Sequence, residues 1–326
     1  MKVAGFALAC GVLVLRTSVA LPQQQQALPI ERPPSAAQTP DIPTLHVESR
    51  LVSVALNVVD EHGAPVPGLT AKDFELREDN RPQQIAFFDK EATTPLQIVL
   101  AIDASESVFT DDRLERDAAK AFVKSVMSKQ DQIDLMAFSD EVAELVSFTD
   151  DPKSVENGLG RIQHGDATAL YDAVYLASQR LGESSSAIGA RRVIVLVTDG
   201  ENTSRRGSYD AAVEQAERAG AMIYSLIIVP VHADAGRDIG GEHALIQMTN
   251  DTGGKYYYVE DKQDLRPAFA HVSEDLRTQY TVGYYAPQNG VDPSGLRHIR
   301  LTLKDRALDA RYKLRYRTIY YANHQP

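Results

Sequence analysis

The chain has 326 residues, 43% of them apolar, which is enough for one large domain or a large and a small one and for a well-buried core. Acidic residues outnumber basic ones 45 to 34, and the formal charge of −11 excludes a nucleic-acid footprint spread over the whole surface. The single cysteine, Cys10, lies within the first twenty residues.

Residues 1–20 read as an export signal, with Lys2 as the charged start, Val3 to Leu15 as a short apolar core, and Ser18-Val19-Ala20 as small residues for cleavage. That core is too short to span a bilayer, so a cleaved signal is expected, and with it a periplasmic or extracellular protein without a membrane span. A mature chain from Leu21 contains no cysteine, so packing rather than disulfides must stabilise it. "ALAC" loosely matches a lipoprotein cleavage site, but the apolar run continues through "GVLVL", which argues against lipid anchoring. Residues 21–45 follow as a Pro/Gln-rich spacer with too few bulky side chains to order itself.

Ordered structure is expected from residue 46. Val52, Val54, Leu56 and Val58 alternate as in a strand with one buried face. "LTAKDF" carries Thr70 three residues before Asp73, a one-turn helix cap, and "FELREDNRPQQIAFF" reads as a hairpin about Asp79-Asn80. Residues 46–93 thus form a small β module with too few strands for a core of its own.

From Gln97 the texture changes to strand-length apolar runs, "LQIVLAID", "DQIDLMAFS", "RRVIVLVTD" and "AMIYSLIIV", three of them nearly continuous, as in strands covered on both faces. Amphipathic stretches separate them: Leu114, Ala118, Phe122 and Val126 fall four apart, Leu170, Val174 and Leu181 share a stripe, and "SYDAAVEQAERAG" ends on Gly220. The alternation predicts an α/β fold with a doubly wound, mostly parallel sheet over residues 95–278. Period two returns in 279–322, with Ile299, Leu301 and Leu303 in one run and Tyr312, Leu314, Tyr316 and Tyr320 in another. Neither β segment suffices alone, so the two are expected to pair in a β-sandwich, which brings the ends of the α/β domain together. In "RYKLRYR", Arg311, Lys313, Arg315 and Arg317 then line a solvated strand face.

The chemistry concentrates at strand ends. "VLAIDASESV" places Asp103, Ser105 and Ser107 on alternate positions after a strand, "HGDATALYDAV" places Thr168 before a helix, and "VTDGEN" leaves Asp199 at another strand end. In an open parallel sheet such loops converge on one crevice. An oxygen-only set of two carboxylates and three hydroxyls suits a hard divalent cation. A serine nucleophile lacks a GxSxG elbow and would depend on the loop residue His164 as base, and no strand is followed by GxxxxGK[ST]. A phosphoryl transferase with Asp103 as nucleophile would want a carboxylate where Ser105 stands.

In this order, "DASES", Thr168 and "VTDGEN" resemble the metal-ion-dependent adhesion site of the von Willebrand factor type A family. The resemblance implies Mg²⁺, with Mn²⁺ or Ca²⁺ as alternatives, contacted directly by Ser105, Ser107 and Thr168, and directly or through water by Asp103 and Asp199. It implies a non-enzymatic module that captures an Asp or Glu carboxylate of a protein partner, with specificity in loops 104–112, 164–169 and 200–208; the competing classes are a hydrolase using the same loops and a scaffold with a structural metal. The β flanks resemble those of exported bacterial proteins of this family frequent in acidobacteria. Where such sequences carry glycines before the threonine, this one has Gly165-Asp166-Ala167, and Asp166 is assigned to capping the next helix. Arg205 and Arg206 are placed where they could attract an acidic ligand.

Overall fold

The computed structural model describes residues 50–90, 94–106, 112–184, 190–229, 239–287 and 295–322. Residues 1–49, which include the expected export signal and the whole expected spacer, lie outside the described residues, as does Ser107. The first described elements are β1 (Arg50–Val59), β2 (Phe74–Glu78), β3 (Arg81–Gln83) and β4 (Ile85–Asp89). Asp79 and Asn80, at φ 47° and 64°, make the two-residue turn between β2 and β3, the left-handed pair that such a hairpin requires. Thr70 and Asp73 close a capping box on the single turn Ala71–Asp73.

There follow β5 (Leu96–Asp103), α1 (Asp112–Val126), β6 (Gln132–Phe138), β7 (Val142–Thr149), α2 (Pro152–Leu159), α3 (Leu170–Glu183), β8 (Arg191–Thr198), α4 (Tyr209–Ala219), β9 (Ala221–Ile228), α5 (Ile239–Asp251), β10 (Tyr256–Val259) and α6 (Leu265–Thr278). Their six strands form one sheet in the order β10-β9-β8-β5-β6-β7, parallel except for the β6–β7 hairpin. Every residue of β5 is buried because both faces are covered. Leu96, Ile98, Leu100 and Ile102 pack with α1, α2 and α6 on one side, while Val99 and Ala101 pack with α3, α4 and α5 on the other. After β5 the chain builds outward to β6 and β7 and then returns to lay β8 on the opposite side, so strand order reverses at β5. That reversal opens the crevice in which ligands bind in such sheets.

The last elements are β11 (Tyr280–Ala286), β12 (Leu296–Leu303), α7 (Arg306–Arg311), β13 (Lys313–Arg315) and β14 (Ile319–Tyr321). They interleave with β1–β4 in two four-stranded sheets, β13-β1-β11-β4 and β14-β12-β2-β3. Val52, Val54 and Leu56 of one sheet and Leu76, Ile299 and Leu301 of the other meet in a separate core. β4 and β11 are antiparallel neighbours with Asp89 opposite Thr281. The α/β domain thus leaves and re-enters the sandwich at adjacent points. Asn57 on β1 and Gln279, the residue between α6 and β11, both donate to the buried hydroxyl of Tyr224 on β9, at 3.0 and 3.2 Å, and fasten the two parts.

Three local readings are corrected. Leu114 is 44% exposed, and the apolar stripe of α1 runs instead through Ala118, Ala119, Phe122 and Val126. "RYKLRYRTIYY" is not one strand: β13 belongs to the first sheet and β14 to the second, and the chain crosses between them at residues 316–318. The basic stripe is accordingly broken up, with Arg311 in α7 and Arg317 donating to the Ser53 carbonyl at 2.7 Å. Asp166 does not cap α3, whose N-cap position is Ala169 and carries no side-chain cap. The sequence reading also passed over α2 and α5, although Asp151-Pro152 is a plain start signal in which Asp151 accepts from Lys153 N and Ser154 N.

Candidate metal centre

Asp103 ends β5 with 0% exposure and Thr198 ends the neighbouring β8, so parallel register sets the two side by side. Asp103 Oδ2 accepts from Thr198 Oγ1 at 2.6 Å, and its Oδ1 accepts from Ser105 N at 3.0 Å. Thr198 Oγ1 accepts in turn from Gly200 N at 3.1 Å. Thr198 was not singled out from sequence, yet its hydroxyl ties Asp103 to the turn that carries Asp199. Asp199, half-buried, accepts from Glu201 N at 3.0 Å.

The other loops are laced to this pair. Ser105, 2% exposed, forms an isolated parallel bridge with Gly165, and Gly165 N donates to Ala104 O at 3.2 Å. A Cβ on Gly165 would stand 2.2 Å from Asp140 Oδ2 and 2.6 Å from Ser139 Oγ, so glycine is what lets the threonine loop lie against the β6–β7 turn. Thr168 N donates to Thr203 Oγ1 at 2.8 Å, and Thr203 N and Ser204 N both donate to Thr168 O. Thr168 is therefore clasped through its backbone, and its own hydroxyl, in a residue only 2% exposed, has no hydrogen-bond partner among the described residues. Gly200 completes the frame: its φ of +92° is a left-handed conformation, and a Cβ there would lie 2.9 Å from the Gly241 carbonyl carbon.

The structure thus brings Asp103, Ser105, Thr168 and the Asp199 turn to the carboxyl edge of β5 and β8; Ser107 lies outside the described residues. Burial foremost, and the negative charge of Asp199 besides, push the Asp103 carboxyl up to about 6 against the hydrogen bonds from Thr198 and Ser105. A carboxylate so placed has no ion pair with a lysine, arginine or histidine among the described residues. Two acids with no basic partner among the described residues, beside the unpartnered hydroxyl of Thr168, form an oxygen-only donor set that a hard divalent cation fits. His164, weighed as a base for a serine nucleophile, is exposed. Arg206 is on the rim, 3.6 Å from Glu141 across the cleft.

A doubly wound sheet with carboxylates and hydroxyls of three loops at its switch point defines a Rossmann-like α/β domain. The von Willebrand factor type A domain model matches residues 97–271, more than half of the chain, and the chain belongs to that family. Domains of this family are typically protein-interaction modules, mostly non-enzymatic, and often bind a divalent metal. The chain is 26% identical over 173 residues to human calcium-activated chloride channel regulator 4, an alignment covering 51% of this chain and 17% of that protein. It is 25% identical over 204 residues to a UPF0353 protein of Mycobacterium leprae, covering 55% of this chain and 60% of the relative. It spans less than two thirds of the length of either. Among solved structures, the von Willebrand factor type A protein from Catenulispora acidiphila aligns with a TM-score of 0.49 at 12% identity, over 82% of this chain and 72% of that one. No helix among the described residues is long and apolar enough to cross a membrane.

Proposed function

We propose that this protein is an exported, metal-dependent protein-binding module that captures an acidic side chain of a partner. Asp103, Ser105, Ser107, Thr168 and Asp199 would hold Mg²⁺, with Mn²⁺ or Ca²⁺ as alternatives. When bound, the ion supplies positive charge and a coordination position for an outside Asp or Glu carboxylate. Everything else falls to the chain. Thr198 and Ser105 N fix the orientation of Asp103, and Thr203 and Ser204 hold Thr168 in place; specificity for the partner would come from loops 104–112, 164–169 and 200–208. Arg206, across from Glu141, adds positive charge on that rim. Export rests on the sequence of residues 1–20.

The observation that carries this reading is the buried Asp103 carboxylate, with Asp199 near enough to repel it and no cationic side chain among the described residues to compensate it. The test is retrieval of envelope proteins by the full chain in Mg²⁺ and in EDTA. Capture is expected in Mg²⁺ only, and is expected to be lost in Asp103→Ala with the fold retained. Equal capture by that variant in EDTA would sink the proposal. If EDTA lowers thermal stability without changing capture, the metal is structural and the binding role falls.

A further inference from the structure

The opposite edge of the parallel sheet carries a second feature. An open cavity of ≈ 370 Å³ lies where β5 and β8 begin, with Leu96 and Val126 at its apolar wall and Arg191, Arg277 and Lys129 as its cations. Arg191 is only 6% exposed, and it is held rigidly: Nη1 donates to Leu276 O at 2.6 Å and Gln279 Oε1 at 3.1 Å, and Nη2 to Thr94 O at 3.3 Å. Arg277 donates to Ser125 O from the last turn of α6. The cavity has one carboxylate, Asp131, whose oxygens accept from Leu96 N at 2.7 Å and Ser128 N at 2.8 Å and so fix the floor. Lys129 and Arg277 have no ion pair with a carboxylate among the described residues.

We infer that this cavity binds a phosphate monoester. Asp131 and Asp89 act on Arg191, and Lys129 and Arg277 add two cations that have no ion pair among the described residues, a positive site for a phosphate monoester within a molecule whose overall formal charge is −11. The Arg191 fork is taken up by the backbone and Gln279, so the remaining donors of Arg277 and the Lys129 ammonium are the groups that suit phosphate oxygens. The volume exceeds a phosphate group and leaves room over Leu96 and Val126 for an organic moiety. The position is also telling: Thr94 leads into the α/β domain and Gln279 leads out of it, and Arg191 touches both. A ligand there would stiffen the junction between the domain and the sandwich.

The test uses the full chain in EDTA, so that the metal edge stays silent, and follows thermal unfolding at constant ionic strength. Inorganic phosphate and glycerol phosphate are each expected to raise Tm by a few degrees over matched sodium chloride. Lys129→Glu, a change at an exposed residue outside the core, is expected to weaken binding by roughly tenfold or more, and Arg277→Gln to act in the same direction. Vesicles with phosphatidic acid separate the two sources of this chemistry: co-sedimentation lost in Lys129→Glu assigns a lipid headgroup, and its absence beside glycerol phosphate binding assigns a free metabolite. A rise in Tm no larger than that in chloride, or an undiminished response in Lys129→Glu, overturns the inference.

Discussion

At the scale of single residues, two buried aspartates behave differently. Asp103 is a charge kept without a compensating side chain, so Asp103→Asn is expected to raise the thermal stability of the metal-free protein while abolishing any Tm increase on adding Mg²⁺; calorimetry with and without the ion checks both signs. Asp134 on β6 is fully buried beside Glu144 and Arg180, far from that edge. No hydrogen-bond partner among the described residues reaches either oxygen, and burial foremost, with the charge of Glu144, pushes its carboxyl from 3.8 up to about 8. Between about pH 4 and pH 8 the folded chain therefore keeps a proton that the unfolded chain has released, and stability falls as pH rises through that window. Asp134→Asn is expected to flatten this slope and to stabilise the protein at pH 8 by roughly 1–3 kcal/mol, measured as urea unfolding across the pH range. Asp103 could be singled out from sequence because a strand end followed by DxSxS is a local pattern. Asp134 could not, since its state depends on Glu144 from the partner strand and Arg180 from a helix.

Among elements, the sandwich is locked by a polar knot that no alternation of residues reveals. Glu78 on β2, 1% exposed, accepts from Tyr284 on β11 and Tyr320 on β14, each at 2.7 Å, and faces Arg297 on β12 at 3.5 Å. Arg297 also bonds Asp79 of the β2–β3 turn at 2.7 Å. Arg297→Met strands the glutamate in the core and is expected to cost about 3–5 kcal/mol, whereas Glu78→Gln, which keeps an acceptor for both tyrosines, is expected to cost clearly less. Chemical denaturation of the two variants side by side reads the difference. The strands around this knot were legible because Val52-Val54-Leu56 and Ile299-Leu301-Leu303 alternate cleanly, and the hairpin because Asp79-Asn80 tolerates positive φ. The crossing from β13 to β14 was not. Tyr312, Leu314, Tyr316 and Tyr320 keep period two straight through a change of sheet, and pattern alone does not say to which sheet a strand belongs.

Across the whole molecule, two cores sandwich the parallel sheet within residues 96–276, while the third is shared between residues 52–76 and 280–320. A chain ending after residue 278 deprives β1 of β11 and β2 of β12. Such a chain is expected to be cleaved up to about Leu96 in limited proteolysis, leaving a resistant α/β fragment, while the full chain resists throughout 50–89. Survival of β1–β4 in the truncated chain would show that they fold unaided. The pairing of Asp89 with Thr281 carries one more consequence. β4 and β11 are the two arms of a hairpin whose loop happens to be the entire α/β domain, so the sandwich is a host and the α/β domain a guest. Replacing residues 90–280 by an Asn-Gly turn should leave a free-standing β protein, and the same two stems should accept a different guest.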